Sequence, residues 1–320
     1  MMRGIFAGDA KDLSVYAIAG SLFEMEQKDG GVFKSVLKTK LGWNRGKSVS
    51  IPFPENEDCE LVKKARLEKW SIWSLEGGLE TLVKTLKQHL VNEGVEILVE
   101  AKTREIIFEK NPQKITYLGD QVKHDFQHAF ISIPAYSAAN LFQSSPDTPL
   151  YELLNSIPYV DVAVVNVEYD KRLELHTGEA FGLLVPSCQK DVPILGIIFD
   201  TCAFPQHISD GSERTIFTVM MGGKWFENLF GPDPNPKDLE NLATQQVKQI
   251  LNLKQNPCRV LTKIHKKCIA QYTLGHKQRV GKIRDYVNMQ NLPISFIGSS
   301  YDGVAINDAI MSSRKFVSYL

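Results

Sequence analysis

The apolar residues of this chain come in short runs of β-strand length, the clearest being 162–165 and 194–199. None approaches the roughly 20 residues that a membrane-spanning helix requires, although binding to a bilayer surface stays open. Hydrophobic residues make up 43% of the 320-residue chain and charged residues 23%, which is typical of a globular protein with a packed core. The chain is therefore predicted to fold into about two domains, and a disordered chain, a collagen and a coiled coil are excluded.

Charge and cysteine content limit the classes of function. Lys plus Arg and Asp plus Glu each number 37, so the net charge is zero and no long-range basic field favours nucleic acid. The five cysteines (59, 188, 202, 258 and 268) are odd in number and lack CxxC spacing. This pattern predicts free thiols rather than a zinc knuckle or a disulfide framework. The first four residues are not typical of a signal or transit peptide.

Apolar spacing predicts helices and many short strands before residue 270. A helix follows Gly77 and Gly78 and ends at Gly94 in a left-handed conformation; its stripe is Leu79, Leu82, Val83, Leu86 and Leu90. Strand-like patterns predict short, mainly antiparallel strands over 95–99, 104–109, 114–118 and 126–133. Further strands are predicted over 159–169, 181–186, 194–199, 214–221 and 258–265. A helix between the last two strands is predicted to bury Leu239, Leu242, Val247, Ile250 and Leu251.

The chain ends in a predicted helix over 279–290, a strand over 293–298, a turn over 298–303 and a final helix. The final helix is predicted to place on its inner face Ile306, Ile310, Ser313, Val317 and Leu320. The N–H groups of Val304, Ala305 and Ile306 have no helical acceptor at such a position, and they suit the electron-rich pyrimidine edge of a flavin. The local pattern alone favours an ordinary strand-to-helix turn over that site.

Motifs of several common catalytic sites are absent from the sequence. There is no GxGxxG dinucleotide fingerprint, no Walker motif and no GxSxG nucleophile elbow. His124 and His128 flank a strand-like run, where residues four apart lie about 13 Å apart, so they do not predict a metal pair. His265 and His276 surround Cys268 without zinc-ligand spacing. No metal ligand and no acid–base or nucleophilic catalytic residue is predicted.

Five stretches of the sequence together carry a family resemblance. They are 3–9 (RGIFAGD), 73–79 (WSLEGGL), 181–186 (FGLLVP), 265–276 (HKKCIAQYTLGH) and 298–308 (GSSYDGVAIND). In this order they resemble the protoporphyrinogen oxidases, and the animal mitochondrial members in particular, within the amine-oxidase-like flavoproteins. The family begins with a βαβ unit bearing GxGxxG, and no such unit is found in this sequence. The chain therefore looks like the C-terminal two-thirds of a family member.

The resemblance implies an α+β, amine-oxidase-like FAD-linked fold without its N-terminal βαβ unit. Residues 1–50 would be a remnant of a helical membrane-binding domain. Residues 51–69 and 136–279 would form a β-rich substrate domain, and 70–135 and 280–320 would be the remaining part of the FAD-binding domain.

The same resemblance implies a site for FAD and for protoporphyrinogen IX. FAD contacts are expected from Thr103, Ser299, Val304, Ala305 and Ile306. Phe181 and Leu184 are expected to enclose one pyrrole ring of the substrate, with Ile198 and Met220 on the far wall. The implied reaction is oxidation of protoporphyrinogen IX to protoporphyrin IX by hydride transfer to FAD, with reoxidation by O2 and release of peroxide. Without the resemblance, these four apolar residues would be read as β-core packing.

The resemblance also implies peripheral association with the mitochondrial inner membrane, and a homodimer is a further expectation. Two alternatives stay open at this point. The chain could be an inactive fragment that binds a porphyrin or a protein partner, or it could be another amine-oxidase-like flavoenzyme, of the polyamine or phytoene type.

Overall fold

The computed structural model describes residues 2–40, 59–70, 72–101, 103, 105–110, 113–118, 123–143, 148–175, 178, 180–189, 191–208 and 210–318. Its helices are α1 (Met2–Phe6), α2 (Val15–Ile18), α3 (Gly20–Asp29), α4 (Val32–Lys40), α5 (Glu60–Leu67), α6 (Glu80–Asn92), α7 (Ala135–Asn140), α8 (Leu150–Asn155), α9 (Asp200–Ala203), α10 (Phe226–Phe230), α11 (Pro236–Ile250), α12 (His276–Met289) and α13 (Ile306–Val317). Its strands are β1 (Glu105–Lys110), β2 (Gln113–Leu118), β3 (Lys123–Phe126), β4 (Ala129–Ile131), β5 (Tyr159–Tyr169), β6 (Gly182–Leu184), β7 (Ile194–Phe199), β8 (Thr215–Gly223), β9 (Arg259–Ala270) and β10 (Ile294–Phe296).

The chain forms two compact units. One contains Met1–Ile18 together with Leu98–Leu320, and the other contains Ala19–Ile97. The second unit consists of helices α3 to α6 and the segments that join them. The domain boundaries implied by the resemblance stay a prediction, because compactness groups residues by contact and not by the ligand they bind.

The larger unit is organised around a five-stranded antiparallel sheet with the strand order β6-β7-β8-β5-β9. Alternation along β5 and β8 sends Val165, Val167 and Val219 to one face, where α11 covers them with Leu239 and Val247. The predicted strands 159–169 and 194–199 are confirmed, and the predicted helix between the last two strands is α11. Ile250 was predicted to lie on the buried side of this helix, but it is exposed at the end of α11.

A second core lies in the same unit around the two-stranded parallel sheet of β4 and β10. Helices α7, α8 and α12 contribute Ala138, Leu154 and Ile283 to this core. The predicted final strand and the helix before it are present, although α12 begins three residues before the predicted start at 279. Strands β1, β2 and β3 form a separate antiparallel sheet.

Two predictions about the helices and strands were wrong, those for residues 95–99 and for the inner face of α13. Residues 95–99 are not in a strand, because Val95, Leu98 and Val99 are exposed and apolar alternation cannot form a ladder without a partner. The helix predicted before Gly94 is present as α6, and its apolar stripe is largely exposed, with Val83 at 66%. The predicted inner face of α13 is exposed as well, with Ile310 at 56%, and Leu320 lies outside the described residues. Helical spacing shows which residues share a face, and it does not show what covers that face.

Two further sequence expectations concern the cysteines and the apolar runs. All five cysteines are free thiols, as their spacing predicts. Among the helices of the described segments, none is both long enough and apolar enough to cross a bilayer.

Candidate functional site

The segment between β10 and α13 turns sharply through residues 298–303. Gly298 and Gly303 both have positive φ angles, 94° and 144°, which a residue with a Cβ rarely adopts. A Cβ at Gly303 would also collide with the side chain of Asp308. Glycine at 303 therefore lets the turn approach the first turn of α13 closely.

Side chains from distant elements bind this turn. The Tyr272 hydroxyl donates to Ser299 O at 2.9 Å and accepts from Gly303 N at 2.7 Å. Ser300 is buried, and its hydroxyl lies 2.6 Å from that of Tyr159. The carboxylate of Asp302 pairs with Arg284. The path of the turn is thus determined by contacts beyond its own sequence.

The start of α13 presents backbone donors, as expected. Ala305 is the N-cap residue, and its N–H donates to Asp308 Oδ2 at 3.3 Å. The N–H groups of Val304 and Ile306 have no acceptor among the described residues. Of the three N–H groups predicted to be unpaired, that of Ala305 therefore donates to Asp308. Those of Val304 and Ile306 stay available.

A cavity of about 220 Å³ lies beside these donors. Val304 and Ala305 line it together with Ile5, Phe6 and Tyr272. Its wall is mainly apolar, because α1 supplies two large side chains from the opposite end of the sequence. The cavity therefore offers an apolar surface with the unpaired backbone donor of Val304 at its wall.

The remaining predicted cofactor contacts lie outside the lining of this cavity. Ile306 is about half exposed at the first position of α13. Ser299 is exposed, and its carbonyl oxygen already accepts from Tyr272. Thr103 is exposed and precedes β1. The structure thus brings two of the five predicted cofactor residues to one cavity wall.

Three of the four predicted substrate residues lie on one face of the five-stranded sheet. Leu184 pairs with Gly196, which pairs with Met220, so these three form a row across β6, β7 and β8. Ile198 is two residues after Gly196, and its side chain therefore projects from the same face. Phe181 lies just before β6 and is 53% exposed, so it lies outside this row.

Helix α1 contacts both the sheet face and the cavity. A Cβ at Gly4 would lie within 3.2 Å of Leu184 and Leu195, so α1 lies directly against the sheet. The next two residues, Ile5 and Phe6, line the cavity with Val304. One short helix therefore connects the two surfaces that the resemblance assigns to cofactor and substrate. In the sequence, the motif at 3–9 indicated that this segment matters to the family, but it did not show that α1 packs between the sheet face and the cavity.

Two residues that contact the candidate site were not predicted individually from the sequence. Gln271 and Tyr272 belong to the motif at 265–276, and both are buried. The Gln271 amide donates to Phe6 O at 2.9 Å at the end of α1, while Tyr272 binds the 298–303 turn. Adjacent residues of one motif thus bind two segments that lie at the cavity, α1 and the 298–303 turn.

The ionisable groups near these surfaces are perturbed by burial. Burial lowers the pKa of His276 and raises the pKa of Tyr272. Burial also raises the pKa of Asp200, although a hydrogen bond from Thr218 opposes that shift. His276 and Tyr272 are therefore both neutral at neutral pH, and they act here as hydrogen-bonding groups rather than as charges.

Comparison with known proteins places this geometry in a family. The model of the family described as flavin containing amine oxidoreductase matches residues 1–318. Protoporphyrinogen oxidase from Bos taurus is 36% identical over 320 residues, covering 98% of this chain and 63% of that protein. The enzyme from Homo sapiens is 35% identical, with 98% and 63% covered. A crystal structure from Exiguobacterium sp. 255-15, named as a candidate protoporphyrinogen oxidase, aligns with a TM-score of 0.73 at 22% identity, over 99% of this chain and 61% of that one.

The chain spans about 63% of the length of the curated relatives it matches. The structural likeness confirms the amine-oxidase-like α+β fold class. Taken with the match over nearly all of the sequence, it shows that this chain belongs to the flavin-containing amine oxidoreductase family.

Proposed function

We propose that this chain carries the flavin-ring and substrate surfaces of a protoporphyrinogen oxidase. The reaction is oxidation of protoporphyrinogen IX to protoporphyrin IX, with FAD as hydride acceptor and O2 as the oxidant that restores it with release of peroxide. The observation that carries this proposal is the position of α1, whose Gly4 lies against Leu184 while Ile5 and Phe6 line the cavity beside Val304. A hydride donor and its acceptor must be adjacent, and α1 joins the two candidate surfaces.

The described residues fit the ring end of FAD. Apolar side chains of Ile5, Phe6 and Tyr272 can cover an isoalloxazine face, and the free N–H group of Val304 can donate to its pyrimidine edge. The cavity of about 220 Å³ is smaller than the roughly 300–1,000 Å³ of sites that enclose whole drug-sized ligands. We infer that this chain holds the ring system, while the sequence offers no GxGxxG element for the pyrophosphate.

FAD, when bound, supplies the acceptor for a hydride from a ring-bridging methylene of the substrate. The contribution of this chain is placement, because aligned reactants avoid the entropic cost of an encounter. Val304 and Ile306 would orient the ring through backbone donors. In this proposal Ser299 and Thr103 contribute further contacts along the cofactor.

The sheet face would bind the macrocycle. Protoporphyrinogen is large, apolar and puckered, so burial against apolar side chains supplies most of its binding free energy. Leu184, Ile198 and Met220 form such a surface on one face, and Phe181 is proposed to add its half-exposed ring to the same substrate site. A cation that binds a propionate would orient the substrate, and we assign no residue of this chain to that role.

The same proposal extends to location and assembly. The chain is proposed to function in haem synthesis, attached peripherally to the mitochondrial inner membrane. It is also proposed to act as part of a homodimer. The exposed apolar stripes of α6 and α13 are consistent with burial against another surface in such an assembly.

The test uses the purified chain. FAD is titrated with detection by quenching of flavin fluorescence, and protoporphyrinogen IX is then added in air with detection of porphyrin fluorescence. Flavin binding and porphyrin formation above the rate of autoxidation would support the proposal. Coproporphyrinogen III, which carries two more propionates, serves as the comparison substrate, and a preference for it would reassign the substrate.

A chain that stays colourless and does not accelerate porphyrin formation would overturn the proposal as an activity of this chain. Binding of protoporphyrin IX without flavin would then favour the inactive porphyrin-binding fragment. Oxidation of polyamines, but of neither porphyrinogen, would favour another amine-oxidase-like enzyme.

A further inference from the structure

Two stacked aromatic rings lie beneath the turn at 298–303. The rings of Tyr272 and His276 are parallel within 12°, with their centroids 3.8 Å apart. Both residues are buried, with 5% and 3% of their surfaces exposed. The imidazole Nε2 lies 3.1 Å from Tyr301 O. With the two bonds of the Tyr272 hydroxyl, this pair contacts the backbone of the turn at residues 299, 301 and 303.

The hydrogen bond to Tyr301 determines the tautomer of His276. A carbonyl oxygen only accepts, so the ring carries its proton on Nε2. The other nitrogen, Nδ1, is buried and has no partner among the described residues. A second proton there would be an unpaired buried donor, so the neutral ring is the state that holds the turn.

The phenol of Tyr272 is bound in both directions. It donates to the first residue of the turn and accepts from Gly303, the residue directly before Val304. A phenylalanine would fill the same space in the core, so packing alone does not require the hydroxyl. Tyr169 provides the contrast within this chain, because its hydroxyl is buried and has no hydrogen-bond partner among the described residues.

We propose that Tyr272 and His276 form a positioning pair, which holds the 298–303 turn so that the free backbone donor of Val304 stays at the wall of the flavin-ring cavity. This inference rests on the proposed function of that cavity. Tyr272 also lines the cavity, so its ring contributes to the wall while its hydroxyl holds the turn. The neighbouring Gln271 binds the end of α1, so the motif contacts both the turn and α1.

The first test compares Tyr272→Phe with Tyr169→Phe, two substitutions that each remove one buried hydroxyl. Hydrogen–deuterium exchange of the segment 299–305 is measured without flavin, with helix α11 (Pro236–Ile250) as internal reference. Tyr272→Phe is expected to speed exchange of 299–305 by about tenfold and to leave the reference unchanged, since Gly303 N–H loses its acceptor. Tyr169→Phe is expected to leave 299–305 unchanged. Equal exchange of 299–305 in wild type and Tyr272→Phe would overturn the proposal.

The second test separates the stacking of His276 from its hydrogen bond. His276→Gln can place an N–H near the position of Nε2, whereas His276→Phe keeps the ring on Tyr272 and removes the donor. Exchange of 299–305 is expected to stay near wild type in His276→Gln and to rise in His276→Phe. The reverse order would overturn the positioning role, and these variants decide the matter if Tyr272→Phe does not fold.

Flavin affinity provides the third readout. Tyr272→Phe is expected to weaken FAD binding about tenfold, and Tyr169→Phe is expected to leave it unchanged. Unchanged affinity in Tyr272→Phe would contradict the pair's role in the cavity. If wild type itself binds no FAD, the proposed function fails, and the exchange measurements alone decide whether the pair positions the turn.

Discussion

The guanidinium of Arg3 lies 2.7 Å from Val192 O, although the two residues are 189 positions apart in the sequence. The other terminal nitrogen donates to Gln189 O at 3.0 Å, and the guanidinium lies over the ring of Trp225. Arg3 is 6% exposed, and its partners are backbone carbonyls of the segment that joins β6 to β7. This contact holds α1 against the sheet whose face carries Leu184.

Removal of this contact is expected to destabilise the larger unit. Arg3→Ala leaves partly buried carbonyl oxygens without this donor, and the free energy of unfolding is expected to fall by about 1–3 kcal/mol. Arg3→Lys keeps the charge but cannot reach two carbonyls with a fork of donors, so an intermediate loss is expected. Denaturant unfolding measures both variants, and a loss below 0.5 kcal/mol in Arg3→Ala would show that α1 is held by other contacts.

Two glycines offer a matched test of packing against open space. A Cβ at Gly4 would contact Leu184 and the backbone of Leu195, whereas a Cβ at Gly20 would have no atom within 4 Å. Gly4→Ala is therefore expected to cost about 1–3 kcal/mol of stability. Gly20→Ala lies in helix α3 and is expected to add about 0.5–1 kcal/mol. Thermal unfolding of the two variants checks the opposite signs, and a stabilising Gly4→Ala would place α1 farther from the sheet.

Charge at the start of α13 is expected to disturb flavin binding in a position-dependent way. Ala305→Glu places a carboxylate and added bulk at the cavity wall, and FAD affinity is expected to fall at least tenfold. Asn307→Glu adds the same charge to the same helix end, but residue 307 does not line the cavity. Fluorescence titration with FAD compares the two variants. Equal loss in both would show that charge near the helix start, rather than the cavity wall, controls binding.

Stability is expected to fall on mild acidification because of His276. Burial lowers the pKa of His276 below its ordinary value of 6.5. Asp302 opposes this shift, and the cations of Arg279 and Arg284 reinforce it. As the pH falls below about 6.5, His276 takes up a proton in the unfolded chain more readily than in the folded chain. The unfolded state is thereby stabilised, and the free energy of unfolding decreases. The loss of stability continues down to the folded-state pKa.

His276→Phe removes this titration, so the difference in unfolding free energy between pH 7 and pH 5 should shrink relative to wild type. Denaturant unfolding at both pH values provides the measurement. If the unfolding free energy of His276→Phe changes as much between pH 7 and pH 5 as that of wild type, another group causes the acid sensitivity.

Asp200 is expected to lower stability at neutral pH. Burial raises the pKa of its carboxyl above the ordinary value of 3.8, and Oδ2 has no hydrogen-bond partner among the described residues. The folded state therefore holds its proton longer than the unfolded state, and stability declines as the pH rises from about 3.8 through the folded-state pKa. Asp200→Asn is expected to add about 1 kcal/mol at pH 7, with the gain vanishing near pH 3.

Asp210→Asn is the control of opposite sign. Hydrogen bonds from Ser212 lower the pKa of the Asp210 carboxyl, so its charged form is the favoured one in the folded state. This variant is expected to lose stability at pH 7 rather than to gain it. A gain in both variants by thermal unfolding would indicate a general effect of reduced charge.

Several features of the site followed from local residue patterns. The alternation over 159–169 identified β5, and the apolar spacing before residue 251 identified α11, because side-chain periodicity is set by the backbone geometry of each element. Gly94 was predicted in a left-handed conformation and has φ 83°. The strand, turn and helix at the C-terminus were also readable, since glycines and periodicity mark such boundaries.

Other features depend on residues that meet only in three dimensions. No pattern near residue 4 reveals Leu184, and no pattern near residue 272 reveals Gly303, although these pairs shape the two surfaces of the site. The exposure of α13 shows the same limit, because helical spacing grouped Ile306, Ile310 and Val317 without stating that they face solvent.

Residue order along the chain was thus enough to establish the elements, the family motifs and the glycine-rich turn, since each depends on conformational preferences of neighbouring residues. The meeting of α1, the motif at 265–276 and the start of α13 around one cavity came from packing. Contacts between residues hundreds of positions apart arise when separate elements bury their surfaces together, and local preference carries no record of the partner.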